Sequence, residues 1–303
     1  MIKTLLDKAK FNIKLACGVG QKIYDNSLYN TIQNRFRREM RLDIIVCVKH
    51  VPETAEAELK INATGKDIEK AGLVYDINEW DDYALEEAVR IKEKFGGTVT
   101  AITVGPEDSE STLRKCLARG ADKAIRLTDP KFAGSDAYAT AKILYSVIKN
   151  LHFDLILTGA QAGDDGSAVV GPVLAELLGI PHATMVKKIE FSNGKAIVNR
   201  ELEGGLEERL EVKLPALFAV QTGINEPRYV SIMGIRKAMQ KEVKVMGLAD
   251  IGLSENDVGE TGSWLKIERL YVPPVEKQAE FLKGSPDEIA TRIVEILKSR
   301  GLI

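Results

Sequence analysis

The chain has 303 residues, 42 basic side chains against 44 acidic ones, and a formal net charge of −2. That balance excludes a nucleic-acid binder held by overall charge, and no uncharged apolar run approaches the ~20 residues that would span a bilayer as a helix. Hydrophobic residues make up 45% of the chain, enough for a core in one large domain or two small ones. Cys17, Cys47 and Cys116 are far apart, and histidine occurs only at His50, His152 and His182. This predicts no disulfide framework and no metal centre, and it fits a reducing compartment, the cytoplasm, with the mitochondrial matrix as the alternative.

Residues 1–40 carry eight basic and three acidic side chains, a balance of +5 that leaves −7 for the rest. Three readings compete: a basic helical extension, an organelle-targeting segment, or upstream sequence with Met40 the natural start. The last is preferred, because Met40 stands directly before the first clean strand, and residues 1–39 are set apart as an extension.

From Met40 the chain alternates strand and helix. Residues 42–48 form an apolar β-branched run, a buried strand. A helix over 82–94 aligns Ala84, Leu85, Ala88, Val89 and Ile91, with Asp81 or Asp82 placed to cap it. Strand 98–104, helix 109–119, strand 124–127, helix 137–149, strand 154–158 and helix 167–178 follow. This alternation predicts a three-layer α/β/α fold with a mainly parallel, Rossmann-like sheet and ligands at the carboxyl ends of its strands. After Gly179 the texture changes. Residues 186–191 and 195–202 read as a hairpin turning at Ser192-Asn193-Gly194, and 210–214 and 216–221 are extended. Residues 225–250 are polar and basic, 272–285 form an irregular arm, and Ser285 with Glu288 caps a final helix over 286–300. The expected organisation is an α/β nucleotide-binding domain over 40–223, then a partner-recognition loop and extended C-terminal arm over 224–303.

The best chemical signal is the loop after the fourth strand, Gly159-Ala160-Gln161-Ala162-Gly163-Asp164-Asp165-Gly166-Ser167. Glycines allow close approach, and a helix N-terminus attracts phosphate, so the loop suits a nucleotide. The plain alternative is a connecting loop whose polar residues cap the helix. No Walker loop, GxGxxG or ATP-cleaving phosphate loop is present. Asn78-Glu79-Trp80-Asp81 is the second cluster: a cap with a packing Trp, or a crevice wall with a flat aromatic face. Cys47 reads as a buried structural thiol, and His50 as a surface residue, with a phosphate contact beside Lys49 as the alternative. No nucleophile–base pair or acid–base dyad appears.

Several segments, in order, then carry a resemblance: Val46-Cys47-Val48-Lys49, Asn78-x-x-Asp81 with Ala84-x-Glu86-x-Ala88, Gly105-Pro106, Arg119-Gly120-Ala121-Asp122, and Gly159-x-Gln161-x-x-Asp164 with Gly171. The most diagnostic run is 198–205, leading to Leu214-Pro215-Ala216 and to Asn225-Glu226-Pro227-Arg228-Tyr229. Residues 40–303 resemble the electron-transfer flavoprotein beta subunit. The resemblance implies a heterodimer with an alpha subunit whose FAD takes electrons from acyl-CoA or other dehydrogenases and passes them to a quinone reductase or similar acceptor. It implies an adenine nucleotide in the beta subunit, AMP in ordinary members and a second FAD in electron-bifurcating ones, where NADH is oxidised. Carried over by position, the nucleotide site is Cys47, Asn78, Asp81, Val104, Gly159, Ala160, Gln161, Ala162, Gly163, Asp164, Asp165, Gly166, Ser167, Ala168, Val169 and Val170. Trp80 stands where the family places an aromatic near the alpha-subunit flavin, and Ile232 where it places an apolar partner anchor.

Ala168, Val169 and Val170 replace the side-chain phosphate ligands of AMP-binding members, so backbone N–H groups and Ser167 must serve. The Val170-Gly171-Pro172 ending and Asp81 look more like the bifurcating class, which favours FAD, with AMP the alternative. The competing function is a free-standing adenine-nucleotide-binding regulator of the stress-protein kind. The about eighty residues after Gly223 argue against it.

Overall fold

The computed structural model describes residues 41–54, 57–192, 194–274 and 279–303, so the readings of residues 1–40, of Asn193 and of 275–278 within the irregular arm lie outside it. Two compact units emerge. One takes in the described residues up to Glu58 with Ala71–Lys266, and the other is Leu59–Lys70 with Ile267–Ile303.

The first unit is built on a nine-stranded sheet. Its elements in chain order begin with β1 (Ile44–Cys47), β2 (His50–Pro52), β3 (Tyr75–Ile77), α1 (Glu79–Phe95), β4 (Val99–Val104), α2 (Glu110–Arg119) and β5 (Lys123–Leu127). There follow α3 (Ala137–Ile148), β6 (Leu155–Gly159), α4 (Val170–Leu178), β7 (His182–Ser192), β8 (Lys195–Glu201), β9 (Glu207–Lys213) and β10 (Ala216–Val220). The unit ends with α5 (Ile232–Gln240), β11 (Val243–Met246) and two short turns of helix, α6 (Leu248–Ile251) and α7 (Gly259–Gly262). The sheet order is β11-β5-β4-β1-β6-β10-β7-β8-β9. The first seven of these strands run parallel, while β8 and β9 add an antiparallel meander. Strands β2 and β3 pair apart from it.

Strand alternation puts Ile44 and Val46 in one core and Ile45 and Cys47 in the other. The first core takes Leu85, Ala88 and Val89 of α1 and Leu113 and Leu117 of α2, and the second takes Ile143, Leu144 and Val147 of α3 and Leu174 of α4. Three layers result, with helices on both faces of a mainly parallel sheet, as the strand–helix alternation predicts.

Four local expectations are corrected. Helix α1 starts at Glu79 with Asn78 as its N-cap residue, and Asp81 and Asp82 lie inside the first turn instead of capping it. Helix α4 starts at Val170, not Ser167, because Ala168 takes a left-handed conformation (φ 57) that ends any helix there. The stretch 225–250 holds α5 and β11, and β11 pairs in parallel with β5. The His50 ring is nearly covered: it stacks on Tyr75 with centroids 4.8 Å apart, and its Nδ1 lies 2.8 Å from Thr112 Oγ1.

The second unit contains an antiparallel bridge between Ile61 and Ile68 and the helix α8 (Pro286–Ser299). The predicted capping box is present, with the Ser285 N–H donating to Glu288 Oε2 at 2.8 Å and the Glu288 N–H to Ser285 Oγ at 3.4 Å.

Candidate functional site

The chain leaves β1 by way of α1 on one face of the sheet and leaves β6 by way of α4 on the other. Neighbouring strands whose connections diverge open a crevice at their carboxyl ends. Asp81 spans that crevice. Its Oδ2 accepts the Lys49 N–H at 2.7 Å, just past the end of β1, and its Oδ1 accepts the Gly159 N–H at 2.8 Å, at the end of β6. Burial pushes the Asp81 carboxyl up to about 7, against those two N–H donors, the Asn78 amide and the Lys49 charge, which pull it down. Burial also raises the Cys47 thiol well above its ordinary range, with the Asp81 charge adding to it, so Cys47 is an inert thiol in the wall.

Asn78 holds the loop that follows. Its Nδ2 donates to the Gln161 carbonyl at 2.8 Å, and its Oδ1 accepts the Gly163 N–H at 3.0 Å. Only 1% of Asn78 is exposed, so its amide is committed to shaping the loop. Gly159 has no room for a side chain, because a Cβ there would stand 2.5 Å from Asp81 Oδ1 and 2.6 Å from Trp80 Cβ. Ala160 is buried, with its N–H donating to Val220 at 2.8 Å. Gln161 and residues 163–169 are exposed, and Ala162 is half-buried.

The Lys49 ammonium reaches Asp164 Oδ1 at 2.6 Å and Asp165 Oδ2 at 2.7 Å. Asp165 in turn accepts the Ser167 N–H at 2.9 Å. Then comes Ala168, left-handed, followed by Val169 in the right-handed region (φ −117, ψ −11). A left–right pair turns successive N–H groups into one concavity, a backbone nest for an anion, and here it opens onto the N-terminus of α4. Among the residues where the sequence predicts lost side-chain phosphate donors, Ala168 and Val169 are the left–right pair and Val170 opens α4.

Trp80 lies at the crevice edge, and its Nε1 donates to Gln221 Oε1 at 2.8 Å. Gln221 passes the restraint on, its Nε2 donating to Glu201 Oε2 at 3.3 Å. Val104 ends β4 and packs with Cys47 in the same core cluster. Ile232 belongs elsewhere. It is the first residue of α5, 74% exposed, on a helix packed so closely on α2 that a Cβ at Gly234 would meet the Ala118 carbonyl at 2.5 Å. Met233, Ile235 and Met239 are exposed with it. The sequence reading missed Lys49 and Gln221 as parts of the site; the signal for Lys49 was its position one residue beyond the apolar run ending in Val48.

The electron transfer flavoprotein domain matches residues 67–251. The electron transfer flavoprotein subunit beta of Methylophilus methylotrophus is 40% identical over 260 residues, covering 84% of this chain and 98% of the relative. That of Thermoanaerobacterium thermosaccharolyticum is 43% identical over 263 residues, covering 86% and 100%. The caffeyl-CoA reductase-Etf complex subunit CarD of Acetobacterium woodii is 38% identical over 263 residues, covering 86% and 99%. With the three-layer fold and the crevice at the β1/β6 switch point, these matches show that the chain belongs to the electron transfer flavoprotein family, as a beta subunit.

Proposed function

We propose that the crevice between β1 and β6 holds the adenine end and phosphates of an FAD, distinct from the flavin of the alpha subunit, and that the complex passes electrons between a dehydrogenase or NADH and a quinone reductase or similar acceptor. The observation that carries this is the Ala168–Val169 nest at the head of α4. A terminal phosphomonoester such as that of AMP carries nearly two charges and is best held by charged side chains. Here the nearby ammonium, Lys49, is already taken by Asp164 and Asp165. A diphosphate spreads its charge over two groups and suits main-chain donors.

The flavin, when bound, supplies the redox chemistry. The chain's own residues set the site: Asn78 and Asp81 fix the loop, Cys47 and Val104 close the apolar wall, and Trp80 offers its indole toward the alpha-subunit side. Residues 224–303 serve the alpha subunit and the dehydrogenase, with Ile232 as the apolar anchor. Cys47 and Cys116, both buried free thiols, are consistent with a reducing cytoplasm. The test is to denature the purified alpha–beta complex and separate the released nucleotides. Two FAD per heterodimer, one of them reduced by NADH, supports the reading. One FAD with one AMP returns the protein to the simple electron-shuttle class.

A further inference from the structure

We infer that Lys49 is the positioning residue of the 159–170 loop: its ammonium, gripped by Asp164 and Asp165, keeps the loop shut and makes nucleotide exchange slow. The inference rests on the nucleotide reading of the crevice. Lys49 is a fixed post. Its N–H is tied to Asp81 at 2.7 Å, and its carbonyl accepts the Asn78 N–H at 2.9 Å, so its main chain is fastened to the start of α1. From there the side chain crosses to a loop 115 residues later in sequence.

The two halves of that loop are held differently. Asn78, itself buried, secures Gln161 and Gly163 through its side-chain amide. Among the described residues, Lys49 supplies the side-chain hydrogen bonds that reach residues 164–168 from outside the loop. Asp165 carries the restraint onward to the Ser167 N–H, the residue before the nest. Burial works against the Lys49 charge, but the two carboxylates outweigh it and hold the ammonium above its ordinary range, so the clasp stays charged throughout the neutral region. Without the ammonium, two carboxylates face each other beside an anion site, and repulsion opens the loop. The side chains are 38%, 29% and 50% exposed, so salt screens the clasp.

The experiment uses the alpha–beta complex as purified. It follows loss of its own nucleotides by chromatography over time, and amide exchange of the segment 160–169, at low and high salt. Two exposed pairs predict release and exchange about five- to tenfold faster in Lys49→Met. Asp164→Asn with Asp165→Asn breaks the clasp as well but leaves the Lys49 ammonium free beside the anion site, so it is read by amide exchange; Lys49→Arg keeps the slow rate, and Lys123→Met, at an exposed site, matches wild type. Salt accelerates amide exchange in wild type and leaves it unchanged in the two opened variants. If Lys49→Met speeds nucleotide release while amide exchange of 160–169 stays at the wild-type rate in it and in the double Asn variant, Lys49 acts on the nucleotide itself and the clasp is refuted. If the complex yields the alpha-subunit FAD alone, the crevice reading fails, while amide exchange still decides the clasp.

Discussion

Gly159→Ala tests the crevice at its tightest point. The new Cβ would lie 2.5 Å from Asp81 Oδ1, 2.6 Å from Trp80 Cβ and 3.0 Å from the Asp81 nitrogen. Non-bonded carbons prefer about 3.5–4.0 Å, so the start of α1 must retreat by roughly 1 Å. Trp80 Cβ and the Asp81 nitrogen move only with the helix, and Asp81 Oδ1, a side-chain end, is tied to the Gly159 N–H. Overpacking of this kind costs ~1–3 kcal/mol. Above about pH 7, where Asp81 is ionised, the retreat also stretches the Gly159 N–H bond to its carboxylate, now 2.8 Å, and a hydrogen bond to a charged group contributes ~1.5–3 kcal/mol. The total, ~2.5–6 kcal/mol, corresponds to a fall in Tm on the order of 10 °C for a domain of this size. Gly166→Ala is the control: it shares the loop, has φ +60 and meets nothing within 4 Å, so its left-handed strain costs about 1 kcal/mol. Calorimetry of the alpha–beta complex, with nucleotide content measured after gel filtration, distinguishes the two. A Gly159→Ala complex that melts within about 2 °C of wild type and keeps its nucleotides refutes the idea that Asp81 and Gly159 form one rigid joint.

Much of this architecture was legible in the chain because its strong elements are periodic and buried. The run 42–48 alternates between two cores, and α1 presents Ala84, Leu85, Ala88, Val89 and Ile91 at helical spacing. What escaped is what sits half in water or depends on distant residues. Only Ala238 of α5 is buried, and β11 is a short edge strand with Lys244 and Val245 exposed, so neither shows a clear apolar face. The late start of α4 turns on one left-handed alanine, which no pattern of side chains announces. His50 reads as a surface residue until Tyr75, from the paired strand β3, stacks on it. The loop 159–170 stood out as a glycine-rich turn between strand and helix. The bonds that give it shape, from Asn78, Asp81 and Lys49, span 78 to 116 residues and follow from topology.

Three more predictions follow from contacts around α1 and α5. Arg228 donates to both oxygens of Glu86, whose side chain is 5% exposed, and also to Glu93. Arg228→Met strips the guanidinium from that buried carboxylate, which keeps the residue 228 main-chain N–H at 3.3 Å, and costs about 2–3 kcal/mol in denaturant titrations, while adding Glu86→Gln recovers part of it; no recovery refutes the pairing argument. Ile232→Asp, at an exposed site, changes stability by less than about 0.5 kcal/mol but raises the apparent KM for a partner dehydrogenase about 5- to 30-fold; a fall in Tm with unchanged kinetics makes it a packing residue instead. The last concerns Asp81 and pH. Burial raises its carboxyl in the folded state from 3.8 to about 7, while the unfolded chain releases the proton near the ordinary value. Between those limits the folded state binds more protons than the unfolded one, so unfolding free energy falls as pH rises from about 4 to about 7 and levels off above. The loss across that window is on the order of 4 kcal/mol. Asp81→Asn cannot ionise and lacks this slope. Its amide also turns one N–H donor toward the Lys49 or Gly159 N–H, so it starts from a lower stability. The comparison is therefore of slopes and not of absolute values. Denaturant unfolding of both complexes across this pH range, at constant ionic strength, yields two curves that converge toward pH 7. Parallel curves mean that Asp81 stays ionised throughout, held by its two N–H donors, and that its burial costs the fold nothing in this window.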